Sequence, residues 1–486
     1  RDTLTRFFVA LSIRPAVFRE YDIRGFVATD LGLEFSEQLG LAYAKLISGG
    51  TPAAGRRHLT VSVGFDCRSS SPGYAEALVR GLTSSGIDVI QLGECPTPLT
   101  YFSIFSLDLD GGIMITGSHN DSEYNGFKLC AGKETLHGQQ IQDLRILMEE
   151  PRPPFPANSR IGEVSSYRII DKYIDYLVSN ARTLVKKKIV IDAGNATASL
   201  VAPELFIRLG AEVIPLYCDV NGSFPNHHPD PTVAANLRAL VETVVNQQAD
   251  FGIAFDGDSD RIGLVDENGR IMFGDELMVI LSRALLAEHP GATIISEVKS
   301  SHRLYDDLAA RDGKGIMWRT GHSVIKAKMK ETGALLAGEM SGHIFFADRY
   351  FGYDDAIYAA MRLYEIASST NGPVSSLLAG LPEILATPEI RVPCEEEKKF
   401  RLVEEAKSRL RGRFTINEID GMRVEFGDSW GLLRASNTQA ALVLRFEAPT
   451  EVRMIEIRGI IENALRDSAR AIGHSPIDLS THDSEN

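Results

Sequence analysis

Short apolar runs alternate with stretches of helical spacing along most of this chain. Residues 59–65 and 87–92 are apolar runs of strand length, and residues 73–85 between them have helical spacing. The same order returns at residues 188–192, which precede a Gly turn and a second helical stretch at 199–209. This alternation predicts an α/β architecture with weak internal repetition of an α/β unit.

A Pro-rich break and a later change of pattern indicate where domains end. Residues 151–156 contain several prolines, which predicts the end of a first domain. From about residue 385 the chain reads as a charged helix at 396–411, followed by alternating strands at 422–426 and 441–446. The last part of the chain is therefore predicted to be a smaller α+β domain.

The length of 486 residues exceeds what one hydrophobic core supports, so we expect several domains. We place domain I at residues 1–164, domain II at 165–270, domain III at 271–384 and domain IV at 385–486.

Composition and charge exclude several classes of protein. Apolar content of 44% and charged content of 24% are typical of a soluble globular protein. The net charge of −14 argues against a nucleic-acid partner, and the basic run at 186–188 reads as the solvated start of a strand. No apolar run approaches the roughly 20 residues that cross a bilayer, so we expect no membrane partner.

The cysteines and the N-terminus bear on location. Five scattered cysteines without C-x-x-C spacing predict reduced thiols in a cytoplasmic protein, with no zinc or disulfide framework. Residues 1–13 have a basic start, but their apolar run is short and broken, so we do not interpret them as a signal peptide. The sequence also starts without Met, which leaves open that N-terminal residues are missing.

A polar loop follows the apolar, strand-like run at residues 113–115. Residues 116–120 read Thr-Gly-Ser-His-Asn, which can present the hydroxyl of Ser118 beside the imidazole of His119. A phosphate on Ser118 would meet backbone N–H groups of the loop and the side chains of His119 and Lys128. The alternative for this loop alone is a polar surface turn after a core strand.

Three carboxylates alternate in a second loop, between the apolar runs 251–255 and 262–265. Asp256, Asp258 and Asp260 would repel one another unless a cation lies among them, and hard oxygen ligands suit Mg²⁺. A calcium EF-hand loop is one alternative, but it requires Gly where this chain has Arg261, and helical flanks. A solvated acidic turn is the other. We predict a Mg²⁺ site.

The third polar loop alternates functional and small residues. Glu339, Ser341 and His343 follow an apolar stretch, and carboxylate and hydroxyl groups in such a loop can hydrogen-bond the vicinal diols of a sugar. In isolation, an ordinary turn is the favoured alternative.

The fourth polar loop combines one guanidinium, two hydroxyls and an amide within five residues. Arg434, Ser436, Asn437 and Thr438 would together form a cradle for a phosphate dianion. A polar hairpin turn is the alternative here.

Together the four loops resemble those of the α-D-phosphohexomutases, nearest to the bacterial phosphomannomutase/phosphoglucomutase branch. The resemblance rests on four loop motifs: T-G-S-H-N at 116–120, D-G-D-S-D-R at 256–261, G-E-M-S-G-H at 338–343 and R-A-S-N-T at 434–438. It runs from E-Y-D-I-R-G at 20–25 to the last of these loops and so covers nearly the whole chain. Four separated loop motifs in the family's order make a chance match improbable. The residues that would do the chemistry are present, which fold-level similarity alone would not establish.

The chain departs from the family's pattern at three places. Asp121 replaces the usual Pro after the serine loop, and Ser259 replaces a Gly of the acidic loop. Gln439 and Ala440 stand where many members have Glu-Pro or Thr-Pro. None of these positions is a nucleophile or a metal ligand in the resemblance.

The resemblance implies three similar α/β domains and a smaller α+β domain around a central cleft, each contributing one loop. It implies reversible phosphoryl transfer between C1 and C6 of mannose and glucose phosphates, through a phosphoserine at Ser118 and a hexose 1,6-bisphosphate. Mg²⁺ would bind Asp256, Asp258, Asp260 and a phosphate oxygen on Ser118. We expect hexose phosphates as partners, glucose 1,6-bisphosphate as an activator, and a monomer.

The remaining roles are assigned to nearby cations and histidines. Arg261 and Lys128 are expected to stabilise the charge that develops in transfer. His343 and His322 are candidates for the general base because imidazole titrates near neutrality, and a structural histidine is the alternative for each.

Three further residues are expected to support the site. Tyr21 and Arg24 are carried over from the resemblance, and Lys299 is a further candidate of the same kind.

Rival functions are disfavoured by particular residues. A Mg²⁺-dependent phosphatase needs no second phosphate cradle, and a non-catalytic sugar-phosphate binding protein needs no metal carboxylates. A serine hydrolase would require G-x-S-x-G around Ser118. Phosphoglucosamine mutase is the nearest alternative, but that branch commonly carries Gln where this chain has Met340. The preference between glucose and mannose stays open.

Overall fold

The structure, a computed structural model, describes residues 13–49, 56, 58–150, 160–182, 185–437 and 439–479. These residues belong to two compact units. The first unit runs to Leu277 and also contains Ser341–Leu377, and the second contains Met278–Met340 and the chain from Leu378 onward. The division falls between Met340 and Ser341, inside the predicted sugar loop.

A mixed sheet forms the N-terminal part of the first unit. Within the described ranges it has seven strands in the order β1-β5-β4-β2-β3-β7, with β6 paired to β5. The central strand β2 is parallel to β3 and β4, whereas β4 and β5 are antiparallel. The strands are β1 (Ile23–Phe26), β2 (Thr60–Phe65), β3 (Asp88–Glu94), β4 (Gly111–Ile115), β5 (Tyr124–Ala131), β6 (Glu134–Thr135) and β7 (Val164–Ser166).

Four helices accompany this sheet. They are α1 (Leu33–Ile47), α2 (Ser71–Ser84), α3 (Thr97–Ser106) and α4 (Gln139–Glu149). The fully buried strand β4 and the apolar faces of α1, α2 and α4 supply much of one hydrophobic core. Burial on both faces explains why β4 reads as a continuous apolar run rather than an alternating one.

A second sheet of the first unit carries the acidic loop. Its five strands in the described part of the chain lie in the order β12-β11-β10-β8-β9. The strands and helices are β8 (Lys188–Asp192), β9 (Glu212–Leu216), β10 (Phe251–Phe255), β11 (Ile262–Asp266), β12 (Ile271–Met272), α5 (Ile169–Asn180), α6 (Ala202–Arg208) and α7 (Arg238–Gln247). The helix predicted at 199–209 starts later, because a 3-10 turn at Thr197–Leu200 precedes it and Pro203 lies in its first turn.

The chain then continues through α8 (Gly274–Glu288) to the strands of the second unit. There β13 (Thr293–Glu297) pairs in parallel with β14 (Lys314–Trp318) and β15 (Leu336–Gly338). The helices α9 (His302–Ala310) and α10 (His322–Thr332) connect these strands, as expected for parallel pairing.

The segment Ser341–Leu377 belongs to the first unit and contains β16 (Ile344–Phe346) and α11 (Ala356–Ser369). Between these two elements it packs aromatic rings against α3 and α5, including Phe351 against Phe105 with ring centroids 4.9 Å apart. The aromatic residues of this cluster are Tyr101, Phe102, Phe105, Tyr173, Tyr176, Tyr350, Phe351 and Tyr353.

The C-terminal part of the second unit is an antiparallel sheet with two helices, which confirms the predicted smaller α+β domain. Its six strands among the described residues follow the order β17-β22-β21-β20-β19, with β18 paired to β22. The elements are β17 (Leu385–Ala386), β18 (Ile390–Pro393), β19 (Thr415–Asn417), β20 (Met422–Glu425), β21 (Trp430–Ala435), β22 (Ala441–Ala448), α12 (Lys399–Leu410) and α13 (Glu451–Ala471).

None of the helices in the described ranges combines the length and apolar character needed to cross a membrane. The residue ranges proposed from sequence for the four domains stay predictions.

Candidate active site

The serine loop leaves the end of β4 and brings Ser118 to the acidic loop. The Ser118 side chain is buried, and its backbone has a φ of +51°, in the left-handed region that non-glycine residues rarely adopt. Its Oγ lies 3.0 Å from Asp256 Oδ2 and 3.1 Å from His119 Nδ1. The structure thus brings together the predicted nucleophile, the adjacent imidazole and one of the predicted metal ligands.

Two buried charged residues that sequence analysis did not single out lie under this loop. Asp66 and Arg68 follow β2 and form an ion pair with 3.0 Å between Arg68 Nε and Asp66 Oδ2. Arg68 also donates hydrogen bonds to the Ser118 and Asn120 carbonyl oxygens. The only signal in the sequence is a D-x-R triplet after a strand, at the strand end where ligands bind in α/β sheets.

The acidic loop is the turn of the antiparallel hairpin β10–β11. Asp256, Asp258 and Asp260 are fully buried, and their ligand oxygens lie within 4.8 Å of one another. The strands on either side rule out the EF-hand alternative, which requires helices. A Cβ on Gly257 would lie 2.3 Å from the Ser118 carbonyl oxygen, so glycine is needed for the two loops to approach this closely.

The charges of this loop are only partly balanced by Lys128. Its Nζ lies 2.6 Å from Asp258 Oδ2 and 2.5 Å from Asp260 Oδ2. Burial alone would lower the pKa of Lys128, but the neighbouring carboxylates outweigh it and hold that pKa above its usual range. Burial, Asp258 and Asp260 raise the pKa of Asp256.

The donor set fits a hard divalent cation. Three carboxylates with one ammonium leave net negative charge in a buried site, which is unfavourable without a further cation. Asp258 Oδ1 and Asp260 Oδ1 are buried and have no hydrogen-bond partner among the described residues. These oxygens, together with Asp256, are therefore able to bind a metal ion.

His343 lies beside the acidic loop, between one arginine and two carboxylates. Arg261 Nε donates to His343 Nε2 at 2.9 Å, and His343 Nδ1 lies 3.1 Å from Asp354 Oδ2 and 3.6 Å from Asp260 Oδ1. Asp354 is fully buried and pairs with Phe345 by a β-bridge. Sequence analysis missed Asp354, because the link between residues 343 and 354 depends on how the chain turns back after β16.

Arg24 joins the serine loop from the N-terminal strand. Its Nη1 donates to Asn120 Oδ1 and its Nη2 to Asp22 Oδ2, each at 2.5 Å. Tyr21 is buried nearby in the sequence. The structure therefore brings Arg24 to the serine loop.

The sugar loop is split between the two units. Glu339 lies in the second unit, where its Oε1 accepts a hydrogen bond from the Gly321 N–H at 2.5 Å, next to His322 at the start of α10. Ser341 and His343 lie in the first unit. His343 is thus grouped with the acidic loop, and His322 with Glu339.

Lys299 lies in a charged cluster of the second unit. Its Nζ is 2.9 Å from Glu389 Oε2 and 3.4 Å from Glu297 Oε1. Glu297, which sequence analysis also missed, accepts hydrogen bonds from the Met340 N–H at 2.9 Å and from the Thr320 hydroxyl. Burial raises the pKa of Glu297.

The predicted phosphate cradle begins at Arg434 near the end of β21 in the second unit and continues into the loop that follows this strand. Arg434 pairs with Asp420 at 3.1 Å, and Asp420 Oδ2 also accepts from the Thr320 N–H at 3.0 Å. The Ser436 hydroxyl accepts from the Gln439 N–H at 3.1 Å, and Asn437 follows it in the same loop. Thr438 lies outside the described residues.

Four family models match the chain in sequence order. They describe phosphoglucomutase/phosphomannomutase alpha/beta/alpha domain I at residues 15–148, domain II at 171–269, domain III at 273–384, and the C-terminal domain at 389–464. Together they cover most of the chain and agree with the predicted architecture of three α/β domains and one smaller domain, which is confirmed.

Curated relatives and a solved structure extend this similarity. The phosphomannomutase/phosphoglucomutase of Pseudomonas aeruginosa is 42% identical over 458 residues, which cover 94% of this chain and 97% of the relative. A phosphoglucomutase of Neisseria gonorrhoeae is 41% identical, covering 95% of this chain and 99% of the relative. The crystal structure of a phosphoglucomutase/phosphomannomutase family protein from Burkholderia thailandensis has a TM-score of 0.87 at 36% identity, covering 96% of this chain and 99% of the other.

Proposed function

The chain belongs to the phosphoglucomutase/phosphomannomutase family, and from that premise we propose that it transfers a phosphoryl group reversibly between C1 and C6 of hexose phosphates. The family was predicted from the four loop motifs, and that prediction is confirmed. The names of the similar proteins favour glucose and mannose phosphates over glucosamine phosphate. The observation that carries the proposal is the 3.0 Å approach of Ser118 Oγ to Asp256 Oδ2 in a buried loop of three carboxylates.

Ser118 is the phosphoryl donor in this proposal. A phosphate on its Oγ is transferred to the free hydroxyl of the sugar phosphate, which gives a hexose 1,6-bisphosphate. The other phosphate of that intermediate then returns to Ser118 Oγ, and the isomeric monophosphate leaves. The cycle ends with the same phosphorylated serine, so added glucose 1,6-bisphosphate would activate enzyme that has lost its phosphate.

Mg²⁺ is the metal whose preferences match the acidic loop. Asp256, Asp258 and Asp260 would hold it together with a phosphate oxygen on Ser118. When bound, it offsets the negative charge that develops on the transferring group. Lys128 and Arg261 supply fixed positive charge at the same loop, which stabilises that group without reorganisation.

His343 is the better placed general base of the two candidates. It lies 3.6 Å from Asp260 in the unit that carries Ser118, and its Nε2 accepts a hydrogen bond from Arg261. For His343 to take the proton of a sugar hydroxyl, Arg261 must first release Nε2. The same arginine can then turn to the phosphoryl group, which would couple proton removal to charge stabilisation.

The second unit contributes recognition of the substrate. We assign Glu339 of this unit to the sugar hydroxyls and Lys299 to support, and Ser341, which lies in the first unit, takes the same role as Glu339. Arg434, Ser436, Asn437 and Thr438 would bind the phosphate that is not being transferred. In each orientation of the bisphosphate one of its two phosphates lies distal to Ser118. Residues that bind the distal phosphate can therefore hold the intermediate in both orientations.

We further propose that the enzyme works as a monomer in the cytoplasm. All five cysteines are free, which suits a reducing compartment.

A coupled assay with glucose 1-phosphate, mannose 1-phosphate and glucosamine 1-phosphate tests the activity and its substrate class. We expect turnover of the first two, and one phosphate on Ser118 by peptide mapping. Ser118→Ala should lose at least about 10²-fold in turnover, as is typical for a covalent nucleophile. Ser468→Ala, a buried serine of α13 whose hydroxyl bonds the Ala464 carbonyl, is the matched control. Near-native activity in Ser118→Ala would refute the phosphoserine cycle.

A further inference from the structure

The Arg68 guanidinium is buried and all of its N–H groups are used. The side chain is 1% exposed. Nε donates to Asp66 Oδ2 at 3.0 Å, Nη1 donates to the Asp121 and Tyr124 carbonyl oxygens at 2.5 and 2.9 Å, and Nη2 donates to those of Ser118 and Asn120 at 2.8 and 2.5 Å. These are five donors on five acceptors, the full capacity of an arginine. The other four acceptors are backbone carbonyls of residues 118–124, a segment that starts in the serine loop and ends at the first residue of β5.

Asp66 holds the other end of the same loop. Its Oδ2 accepts from the Gly117 N–H at 3.2 Å, and its Oδ1 accepts from the Ser71 hydroxyl at 2.6 Å. The loop is therefore bonded to the Asp66–Arg68 pair through one N–H before Ser118 and through carbonyls from Ser118 onward. Since the pair is a matched acid and base, it fixes the loop without adding net charge.

The loop is shaped to fit around this guanidinium. A Cβ on Gly117 would lie 2.6 Å from Arg68 Cζ, so any larger residue there would displace the arginine. Ser118, the next residue, has the left-handed φ of +51°. Such a conformation is unfavourable for serine and persists only where surrounding contacts hold it. The hydrogen bond from Arg68 to the Ser118 carbonyl is one of those contacts.

The arrangement also bears on where a phosphate can sit. Carbonyl oxygens repel a phosphate dianion, and here four of them are occupied by Arg68. The Ser118 Oγ lies instead near Asp256 Oδ2 and the imidazole of His119. The aromatic ring of Phe224 lies 5.2 Å from Arg68 Cζ and helps to fix the guanidinium.

From these contacts we propose that Arg68 is a positioning residue for phosphoryl transfer. It acts through the serine loop: it draws four carbonyls to itself, holds Ser118 in the left-handed conformation, and so keeps Oγ aimed at the acidic loop. The inference rests on the proposed role of Ser118 as phosphoryl donor. In this proposal Arg68 does not contact the substrate. Loss of the hydrogen bonds from its guanidinium should therefore impair phosphoryl transfer rather than sugar-phosphate binding.

Arg68→Lys tests the proposal because it keeps the buried positive charge beside Asp66 but cannot bond four carbonyls at once. We expect kcat with glucose 1-phosphate to fall about tenfold to hundredfold, as misplaced reacting groups do. KM should stay within about threefold of the wild-type value, because the contacts that bind the substrate equally in the ground state and the transition state are not changed. Amides of residues 117–124 should exchange faster with solvent hydrogen.

Arg362→Lys is the matched control. Arg362 is another buried arginine of the first unit, paired with Asp348 at 2.9 Å and bonded to the Asp348 carbonyl. Its replacement should lower the melting temperature but leave kcat and KM within about twofold of wild type. A general loss of stability is thereby separated from a loss of loop geometry.

Gly117→Ala is the second variant, for the case that Arg68→Lys does not fold. It keeps the arginine and its charge but pushes the guanidinium away from the loop, so the same fall in kcat at unchanged KM is expected. A wild-type kcat in folded Arg68→Lys or Gly117→Ala would overturn the proposal. A fall in kcat/KM that is caused by a higher KM at unchanged kcat would overturn it as well. If wild-type protein and the Arg362→Lys control were themselves inactive with every hexose phosphate, the proposed function would fail instead.

Discussion

At the scale of single residues, two serines with unfavourable backbone conformations lie in the proposed active site. Ser118 and Ser259 both have positive φ, at +51° and +64°, and each lies in one of the two loops that meet at the proposed transfer site. Ser259 occupies a position where related loops have glycine, and its hydroxyl lies 3.1 Å from that of Thr197. Contacts of this kind hold a residue in a backbone conformation that it rarely adopts.

The orientation of the His343 ring leads to a prediction for Asp354. Because Arg261 donates to Nε2, a neutral His343 ring carries its proton on Nδ1, which faces Asp354 Oδ2 at 3.1 Å. In Asp354→Asn the amide N–H₂ can face Nδ1 and favour the wrong tautomer. We expect kcat to fall about tenfold to hundredfold with little change in KM, by analogy with other carboxylate-held histidines.

Steady-state kinetics and ¹⁵N spectra of labelled histidine check this prediction for Asp354. The spectra should show the Nδ1–H tautomer in wild type and its loss in Asp354→Asn. Asp348→Asn, which breaks a buried ion pair with Arg362 in the same segment, is the control and should keep both kcat and the tautomer. An unchanged tautomer in Asp354→Asn would remove the basis of the prediction.

At the scale of elements, the hairpin β10–β11 carries the three carboxylates that we propose as metal ligands. Asp258→Asn should weaken Mg²⁺ binding and slow turnover while the fold stays intact, because one ligand charge is lost from a rigid turn. Chelation should abolish activity in wild type, and added Mg²⁺ should restore it. Titration of activity and of bound metal against Mg²⁺ measures both effects.

Asp266→Asn at the far end of β11 is the control for the hairpin. Its Oδ1 accepts from the Asn268 and Arg270 N–H groups, an arrangement that asparagine can keep, so Mg²⁺ dependence should be unchanged. Full wild-type activity in excess chelator would rule out the metal assignment.

The cap of α11 gives a prediction for stability against pH. Asp355 accepts hydrogen bonds from the Tyr358 N–H and from the hydroxyls of Tyr173 and Tyr350. Burial nevertheless raises its pKa from 3.8 to about 6. The folded state therefore binds a proton more tightly than the unfolded state, and this contribution to stability is full below about pH 4 and is lost as pH rises through about 6.

Asp355→Asn removes this titration and still accepts at the helix cap. The free energy of unfolding of wild type relative to the variant should therefore fall by about 3 kcal/mol between about pH 4 and about pH 6, and then level off. Urea unfolding of both proteins across this range measures the difference. Parallel curves would show that Asp355 does not titrate there.

The elements also show what the sequence could reveal. Each of the four loops is a short polar run after an apolar strand, and such local contrasts can be read without knowing the fold. Arg68, Asp354 and Glu297 were missed because most of the groups that they contact are backbone groups or side chains far along the chain. A buried charge of this kind looks, in sequence, like any surface charge.

At the scale of the whole molecule, the segment Ser341–Leu377 shows another feature that could not be predicted from the sequence. In the sequence it follows residues of the second unit, but it belongs to the first unit. Aromatic rings in the turn before α11 pack there against rings on α3 and α5. No periodicity links Phe351 to Phe105 or Tyr176, because the contact depends on the completed fold. The same segment carries His343 and Asp354 to the acidic loop, so the placement of the proposed base follows from this packing.

The last prediction concerns Arg434, which lies in the second unit while Ser118 lies in the first. Loss of an arginine–phosphate contact should weaken the binding free energy by about 2–5 kcal/mol, by analogy with other buried charge pairs. Arg434→Ala should therefore raise KM for glucose 1-phosphate and mannose 1-phosphate alike, since both share the distal phosphate. Turnover should fall as well, because remote binding energy helps to position the reacting hydroxyl.

The bisphosphate intermediate should also escape more often from Arg434→Ala, because its distal phosphate is no longer held while the sugar reorients. Assays with and without added glucose 1,6-bisphosphate, together with direct measurement of released bisphosphate, test this point. Arg453→Ala, which removes an arginine of α13 that is paired with Asp428 and Glu456, is the control and should behave as wild type. Unchanged KM and no added release in Arg434→Ala would mean that other residues hold the distal phosphate. Substrate recognition would then not depend on the loop after β21, and phosphoryl transfer would have to be explained from the remaining three loops.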